Sequence, residues 1–307
     1  MVETSSTERR ARGAAVALGV AMLWGARLAW LAVAVIGGQA IGDAVAERSD
    51  AVQVVAVVGV WIGWAVGAVA LVVPSIVSLT VVRAVVPGAL AVAVTILVFG
   101  ADADDVLRLG LPALVATLLV ASAEVGRPYL QASAYGDERR FGLRPPLGYL
   151  AATVVTWLVW TSAVIAAPLA LAAMAWALAG PALVVAVLGA LTLPRRWHQL
   201  SRRWLVFVPA GMVVHDPVVL AETLMLPRRR IVAVSANELG PGTALGAVDV
   251  TGPTPGLAVE IDLDAPMAAT LARRPRETRG RPISVSALLV SPTRPGAVLA
   301  EAARRKF

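Results

Sequence analysis

Two arginines, Arg27 and Arg83, fall inside long apolar stretches of the sequence, and Arg127 follows shortly after another such stretch. An unpaired charge at the centre of a bilayer costs ~2.5 kcal/mol or more. Arg83 is near enough to the end of its stretch for the side chain to reach the membrane surface, but Arg27 must find a carbonyl, water, the Glu124 carboxylate or a lipid head group. Two interpretations stay open: structural pairing, or a binding site for an anionic lipid or a phosphate.

The sequence contains none of the HExxH, GxSxG and GxxxxGK[ST] motifs. It has no cysteine and only two histidines, His198 and His215, for which structural or solvated roles are expected. Three carboxylates in "ADADD" (101–105) could supply ligands to a hard cation, but the expected interpretation is a solvated turn. Glycine-rich "GPGTALG" (240–246) precedes a predicted strand and predicts a turn. We therefore expect no cofactor and no metal site, and we favour a protein that is not an enzyme.

The elements that must position these residues are membrane-spanning helices. Mean hydropathy is +0.76, and charged residues make up 15% of the chain, against ~25% in soluble domains. Apolar runs approach the length that crosses a bilayer core. The sequence predicts an α-helical bundle of six transmembrane helices, at 14–38, 51–73, 77–99, 109–124, 147–167 and 171–193.

The distribution of arginine predicts how these helices are oriented. Loops 39–50 and 100–108 are acidic, whereas the N-terminal tail 1–13, the loop 125–146 and the segment 195–203 are rich in arginine. Because basic loops remain on the cytoplasmic side, we expect both termini in the cytoplasm. The same rule explains the net charge of +7 without a nucleic-acid partner.

Small residues recur at one spacing within the second predicted span. Gly59, Gly63 and Gly67 are four residues apart, so they line one helix face and allow a second helix to approach closely. Packing within the chain's own bundle is the expected interpretation. A homodimer or a contact with a partner protein is the alternative.

The composition changes after residue 204, where strands become the predicted elements. In "AVEIDLD" (258–264), apolar and acidic residues alternate with the period of a half-buried strand. "WLVFVPAGMVVHD" (204–216) predicts a hairpin, and "RPGAVLAEAARRKF" predicts a closing helix. This order of elements resembles bacterial pleckstrin-homology-like (PH-like) domains, which implies a bent β-barrel closed by a helix over 204–307. The domains are therefore a cytoplasmic tail (1–13), a membrane domain (14–194), a basic juxtamembrane linker (195–203) and a cytoplasmic PH-like domain (204–307).

The whole chain, including "AYGDERRFGLRPP", also resembles uncharacterised multi-pass membrane proteins of actinobacteria. Its heavy use of Ala, Val and Arg, with a single lysine, is typical of a high-GC bacterial genome. The resemblance implies the bacterial plasma (inner) membrane and carries no known activity.

The loop 125–146 carries acids that orientation does not require, because they reduce its positive charge. We hypothesise that the loop is folded and docks on the C-terminal domain, with a mobile connector as the alternative. The residues proposed for this docking are Tyr135, Asp137, Glu138, Phe141, Arg228, Arg229 and Arg230.

These patterns favour a non-enzymatic accessory or scaffold protein of the cell envelope, whose cytoplasmic domain docks a protein partner. The alternative is a carrier or enzyme for an anionic lipid or lipid-linked phosphate that uses Arg27, Arg83 and Arg127. An export transporter is a weaker alternative, because the predicted spans lack embedded carboxylates. Expected partners are membrane lipids, mainly anionic, and a protein partner at the cytoplasmic face, with a homodimer as the alternative.

Overall fold

The computed structural model describes residues 2–237, 247–252, 254, 256–273 and 280–307. The predicted turn at 240–246 lies outside the described residues. The chain divides into two compact units. The helical unit comprises Met1–Tyr129 and Val155–Pro194, and the sheet unit comprises Leu130–Val154 and Arg195–Phe307.

Helices account for the first unit and continue a short way into the second. Their bounds are α1 Val2–Val35, α2 Gly38–Val45, α3 Asp50–Val72, α4 Ile76–Val85, α5 Gly88–Val98, α6 Ala103–Ala121, α7 Ala123–Gln131, α8 Leu147–Ala172 and α9 Trp176–Ser201. Five segments are long and apolar enough to cross a membrane, and a sixth qualifies if the bent pair α6–α7 counts as one span. This composition suits a multi-pass membrane protein.

The predicted bounds of the tail and of the spans differ from the structure in several places. The predicted tail 1–13 belongs to α1 from Val2 onward. The third span is broken into α4 and α5 around Pro87, which has no N–H to donate within a helix. The fourth predicted span, 109–124, is instead α6 together with α7, with a bend of 56° between them.

The acidic stretch at 101–105 explains why α6 starts six residues before the predicted span. The Asp102 carboxylate accepts a hydrogen bond from the Asp105 backbone N–H at 2.9 Å, which caps the helix. Asp104 and Asp105 lie in the first turn, where negative charge suits the helix dipole. Both also pair with Arg108. The acids therefore act as a helix start, in place of the predicted solvated turn.

The second unit contains two four-stranded sheets and a closing helix. Its strands are β1 Arg139–Gly142, β2 Trp204–Val208, β3 Gly211–His215, β4 Leu224–Pro227, β5 Ile231–Asn237, β6 Val248–Asp249, β7 Ala258–Leu271 and β8 Arg281–Val290, followed by α10 Pro295–Arg305. The first sheet has the antiparallel order β1-β2-β3-β4. The second has the order β5-β7-β8-β6, in which β6 runs parallel to β8.

The predicted barrel is not closed. The chain leaves β4 through a single 3₁₀ turn, Arg228–Arg230, and enters a separate sheet instead of extending the first. Apolar residues of both sheets and of α10 form one core, with Phe207, Ile261 and Val298 each 0% exposed. The closing helix and the alternation at 258–264 follow the prediction, since Val259, Ile261 and Leu263 are buried.

The sheet unit is larger than the predicted segment 204–307. Strand β1 comes from the loop 125–146 and pairs in antiparallel register with β2, with Phe141 opposite Leu205. Helix α9 continues to Ser201, so most of the segment 195–203 is helix and not a free linker. The unit is thus built from two chain segments, one before α8 and one at the end of α9. In the sequence, α8 and α9 therefore lie between β1 and the other strands of the unit.

Candidate functional site

The arginine that most needed a partner, Arg27, lies against the end of helix α3. Its Nε donates to the Leu71 carbonyl at 3.1 Å, and its guanidinium stands 4.8 Å from the centre of the Trp24 ring. The hydroxyl of buried Tyr129 donates to the neighbouring Ala70 carbonyl at 3.2 Å. Two donors therefore meet carbonyls in the last turn of α3, where helical partners are lacking.

The position of Arg27 against the end of α3 favours a structural role. The last turn of a helix carries partial negative charge, which a nearby cation stabilises. Leu71 is the penultimate residue of α3, so Arg27 is level with one end of that helix and not with its middle. The contacts therefore support the structural pairing that was one of the two interpretations.

Arg83 and Arg127 lie on α4 and α7, whereas Arg27 lies on α1. Arg83 is in the last turn of α4, where its Nε contacts the Val120 carbonyl at 3.4 Å. Its Nη2 lies 3.0 Å from the point that a Cβ at Gly126 would occupy. Arg127 is half-buried on α7. The carbonyls that Arg27 and Arg83 contact thus belong to different helices, α3 and α6.

The three glycines of α3 behave differently from one another. A Cβ at Gly67 would lie 2.6 Å from the Trp30 ring, which is far too close. A Cβ at Gly59 or at Gly63 would meet nothing within 4 Å. Only Gly67 therefore permits close packing within the bundle, as predicted for all three.

Gly59 and Gly63 instead face a partly open cleft of about 290 Å³ in the helical unit. Its walls come from α1 to α6 and from α8, and they are mostly aliphatic and aromatic. Trp64 and Trp160 contribute indole rings, and Thr95 and Thr161 contribute hydroxyls. Nothing in the sequence spacing distinguished these two glycines from Gly67.

The tryptophans of the cleft wall are fixed by hydrogen bonds to helix carbonyls. Trp30 Nε1 donates to the Trp64 carbonyl at 3.0 Å, and Trp64 Nε1 donates to the Trp30 carbonyl at 2.9 Å. Trp160 Nε1 donates to the Ala186 carbonyl at 2.9 Å. Because these polar N–H groups point at the protein, the indoles present apolar surface to the cleft.

In the sheet unit, a buried ion pair joins Arg203 to Asp216. Arg203 Nε and Nη2 donate to the two carboxylate oxygens at 2.8 and 2.6 Å, and both side chains are at most 1% exposed. The guanidinium also donates to the carbonyls of Arg144 and Thr251. Asp216 further accepts from the Val218 backbone N–H at 3.1 Å. This fully partnered pair is a structural anchor for the strands around it.

The loop residues proposed for docking are spread over one edge of the sheet unit. Phe141 packs against the core, with its ring centre 5.6 Å from that of Phe207. Glu138 pairs with Arg140 at 3.0 Å within the loop itself. The Asp137 carbonyl, not its carboxylate, accepts a hydrogen bond from Arg305. Tyr135 is 87% exposed, so it lacks the apolar contact expected of it.

The three arginines proposed as partners of that loop have other contacts. Arg228 donates to the Arg305 carbonyl and lies 4.9 Å from the centre of the Phe307 ring. Arg230 pairs with Asp264 at 2.8 Å. Arg229 is exposed. Glu138 is therefore paired within the loop, whereas the Asp137 carboxylate interacts electrostatically with Arg304 of α10.

A polar cluster lies on the face of the first sheet that is opposite the core residues Leu205 and Phe207. His215 stacks on Trp204 with ring centres 4.9 Å apart. Arg202 approaches His215 Nε2 at 3.5 Å, so that nitrogen accepts and Nδ1 donates to Thr223 at 2.8 Å. Burial, followed by Arg202, lowers the pKa of His215, and the Asp216 charge opposes this. His215 thus belongs to a structural network that favours the neutral imidazole.

None of these clusters assembles a familiar catalytic or metal centre. Within the described ranges, no group of three or more His, Cys, Asp or Glu side chains could hold a metal ion. The features that sequence reasoning missed are the cleft and the Arg203–Asp216 pair. Comparison with known proteins gives no matching family model, no matching curated protein and no matching solved structure.

Proposed function

We propose that this protein is a non-enzymatic scaffold of the bacterial plasma membrane, whose sheet unit docks a partner at the cytoplasmic face. The observation that carries the proposal is the construction of the sheet unit from two chain segments that flank α8 and α9. Strand β1 comes from one segment and β2 from the other. Such a unit is joined to the membrane domain at several points, which suits a surface displayed at the membrane and not a freely tethered domain.

The distribution of charge supports the same function. The helical unit has eight basic and nine acidic side chains, so the sheet unit carries a formal charge of +8 against the +7 of the whole chain. Exposed Arg139 and Arg229, with exposed Tyr135, leave polar and aromatic groups available for a partner. Arginine and tyrosine are enriched where proteins bind each other. The strand order and the closing helix support the resemblance to PH-like domains, with the two sheets kept separate.

Orientation can be tested with single cysteines, because the chain has none of its own. Ala103, beside the acidic loop 100–108, and Ser133, in the basic loop 125–146, are both exposed. The positive-inside rule places them on opposite sides of the membrane. In intact cells, an impermeant maleimide should label Ala103→Cys and not Ser133→Cys, while both should react after the membrane is permeabilised. Equal labelling of the two in intact cells would refute the cytoplasmic placement of the sheet unit.

The scaffold function is tested by photo-crosslinking in native membranes. Benzoylphenylalanine placed at Tyr135, Arg139 or Arg229 should give the same discrete protein adduct from at least two of these exposed positions. The matched control is Val159 on α8, which is 55% exposed in the helical unit and should give no such adduct. If the three sheet-unit positions give only lipid adducts, or none, the scaffold proposal fails.

A further inference from the structure

We infer that the cleft beside α3 holds one acyl chain of a phospholipid, with the phosphate of the lipid near Arg48. This site is distinct from the docking surface of the sheet unit. None of Arg27, Arg83 and Arg127 is among the residues that line it. A lipid at this place therefore does not depend on the arginine chemistry considered from the sequence.

The length of the cleft suits a chain lying along the bilayer normal. Its lining residues run from Ala84 on α4 to Phe99, directly after α5, which corresponds to at most about 22 Å at 1.5 Å per helical residue. The hydrocarbon core of a bilayer is ~30 Å thick. The length of the cleft is therefore a large part of the thickness of the hydrocarbon core.

The walls offer little that a polar ligand could use. The indole N–H groups of Trp30, Trp64 and Trp160 are already bonded to carbonyls, and the Thr95 hydroxyl donates to the Ala91 carbonyl at 2.8 Å. An apolar space of this kind does not retain water, and leaving it empty forfeits the dispersion contacts of its walls. A hydrocarbon chain restores those contacts.

One end of the cleft carries a charged side chain against its lining, that of Arg48. The Arg48 guanidinium lies 5.1 Å from the centre of the Phe99 ring, and Phe99 and Val45 both line that end. Arg48 is exposed, so its remaining donors are free to contact a phosphate. A phospholipid with its chain in the cleft would bring its phosphate to this position.

The acids next to Arg48 narrow the choice of head group. Asp43 on α2, Glu47 in the connection and Asp50 at the start of α3 are all exposed. A head group with net negative charge would meet these carboxylates, whereas an ammonium group beside the phosphate would be attracted to them. We therefore assign phosphatidylethanolamine in preference to phosphatidylglycerol.

The test uses the full chain in phosphatidylglycerol vesicles that contain a phosphatidylethanolamine probe with a diazirine at the middle of its acyl chain. After illumination, the label should map to peptides that line the cleft. Gly59→Leu and Gly63→Leu place a side chain in the open space, and each should reduce the label about tenfold, the equivalent of roughly two buried methylene groups.

The matched control is Gly180→Leu on α9, where a Cβ also meets nothing within 4 Å and which does not line the cleft. It should leave the label unchanged, and all three variants should keep the elution volume and thermal midpoint of the parent. Equal labelling of Gly59→Leu, Gly63→Leu and parent overturns the acyl-chain site.

Head-group specificity is tested in the same vesicles. The phosphatidylethanolamine probe should label more strongly than a phosphatidylglycerol probe, and Arg48→Gln should reduce its labelling. Equal labelling by the two probes overturns the head-group assignment. Diazirine groups placed on cleft residues that crosslink to a second copy of the chain, and not to lipid, would overturn the proposal in favour of a dimer. A failed scaffold crosslink leaves these outcomes unaffected, because they concern the helical unit alone.

Discussion

Replacing Arg203 by Met should destabilise the sheet unit by about 3–5 kcal/mol, because it leaves the Asp216 carboxylate buried without its partner. Asp216 is 0% exposed and accepts two bonds from Arg203. Met keeps much of the volume of the arginine stem. The loss of stability therefore measures the removal of the charge and not the creation of a cavity. Hydrogen exchange of the backbone amides in β2 and β3, measured on the full chain, gives the change in the free energy of opening.

Two further variants show whether the loss of stability comes from leaving a buried charge unpaired or from losing an ion pair of any kind. Arg203→Met combined with Asp216→Leu removes both charges and should recover much of the lost stability, since replacing a buried pair by apolar residues is often neutral. Arg230→Met breaks the exposed pair with Asp264, which should cost only ~0–1 kcal/mol. If Arg203→Met costs no more than Arg230→Met, the pair is not the anchor described above.

Gly67→Ala should destabilise the helical unit by about 1–3 kcal/mol, the usual cost of overpacking. The added methyl would lie 2.6 Å from Trp30, and this ring is only 4% exposed. Its indole N–H also donates to the Trp64 carbonyl, so the ring cannot move away without breaking that bond. Thermal unfolding in detergent, compared with the parent chain, measures the effect.

The control lies one turn away on the same helix. Gly63→Ala adds the same methyl where nothing lies within 4 Å, and alanine raises helix propensity. Gly63→Ala should therefore leave the thermal midpoint unchanged or raise it slightly. Equal losses for the two variants would mean that glycine at this spacing matters for α3 itself and not for its contact with Trp30.

The sequence predicts the membrane helices well because their signal is composition over many residues. Their ends are harder to predict, since single residues decide them. Asp102 caps α6 well before the apolar run that marked the span, and at the bend after Ala121 the Ser122 hydroxyl accepts from the Val125 backbone N–H at the start of α7. Strand β1 was also missed, because a four-residue edge strand in a charged loop has too little alternation to be recognised.

The contacts of the candidate sites could also be predicted from the sequence only in part. Arg203 and Asp216 face each other in the register of the predicted hairpin, in which Trp204 pairs with His215, so the ion pair could have been found from the sequence once that register was assumed. The partner of Arg27 could not have been found in this way, because the Leu71 carbonyl is a backbone group, which the residue type does not reveal. The cleft depends on how several helices pack, which spacing on α3 alone does not determine.

The two segments of the sheet unit also bear on the order in which the protein folds during synthesis. Strand β1 leaves the ribosome before α8 and α9, and its partner β2 follows them. Closing the roughly 60-residue loop between Gly142 and Trp204 from an open chain would carry a substantial entropic cost. The hairpin of α8 and α9 removes most of this cost, since it brings Tyr149 and Gln199 within hydrogen-bond distance, 3.1 Å. Insertion of the last two helices is therefore the step that allows the first sheet to form, and a chain arrested before it would expose β1 without a partner strand.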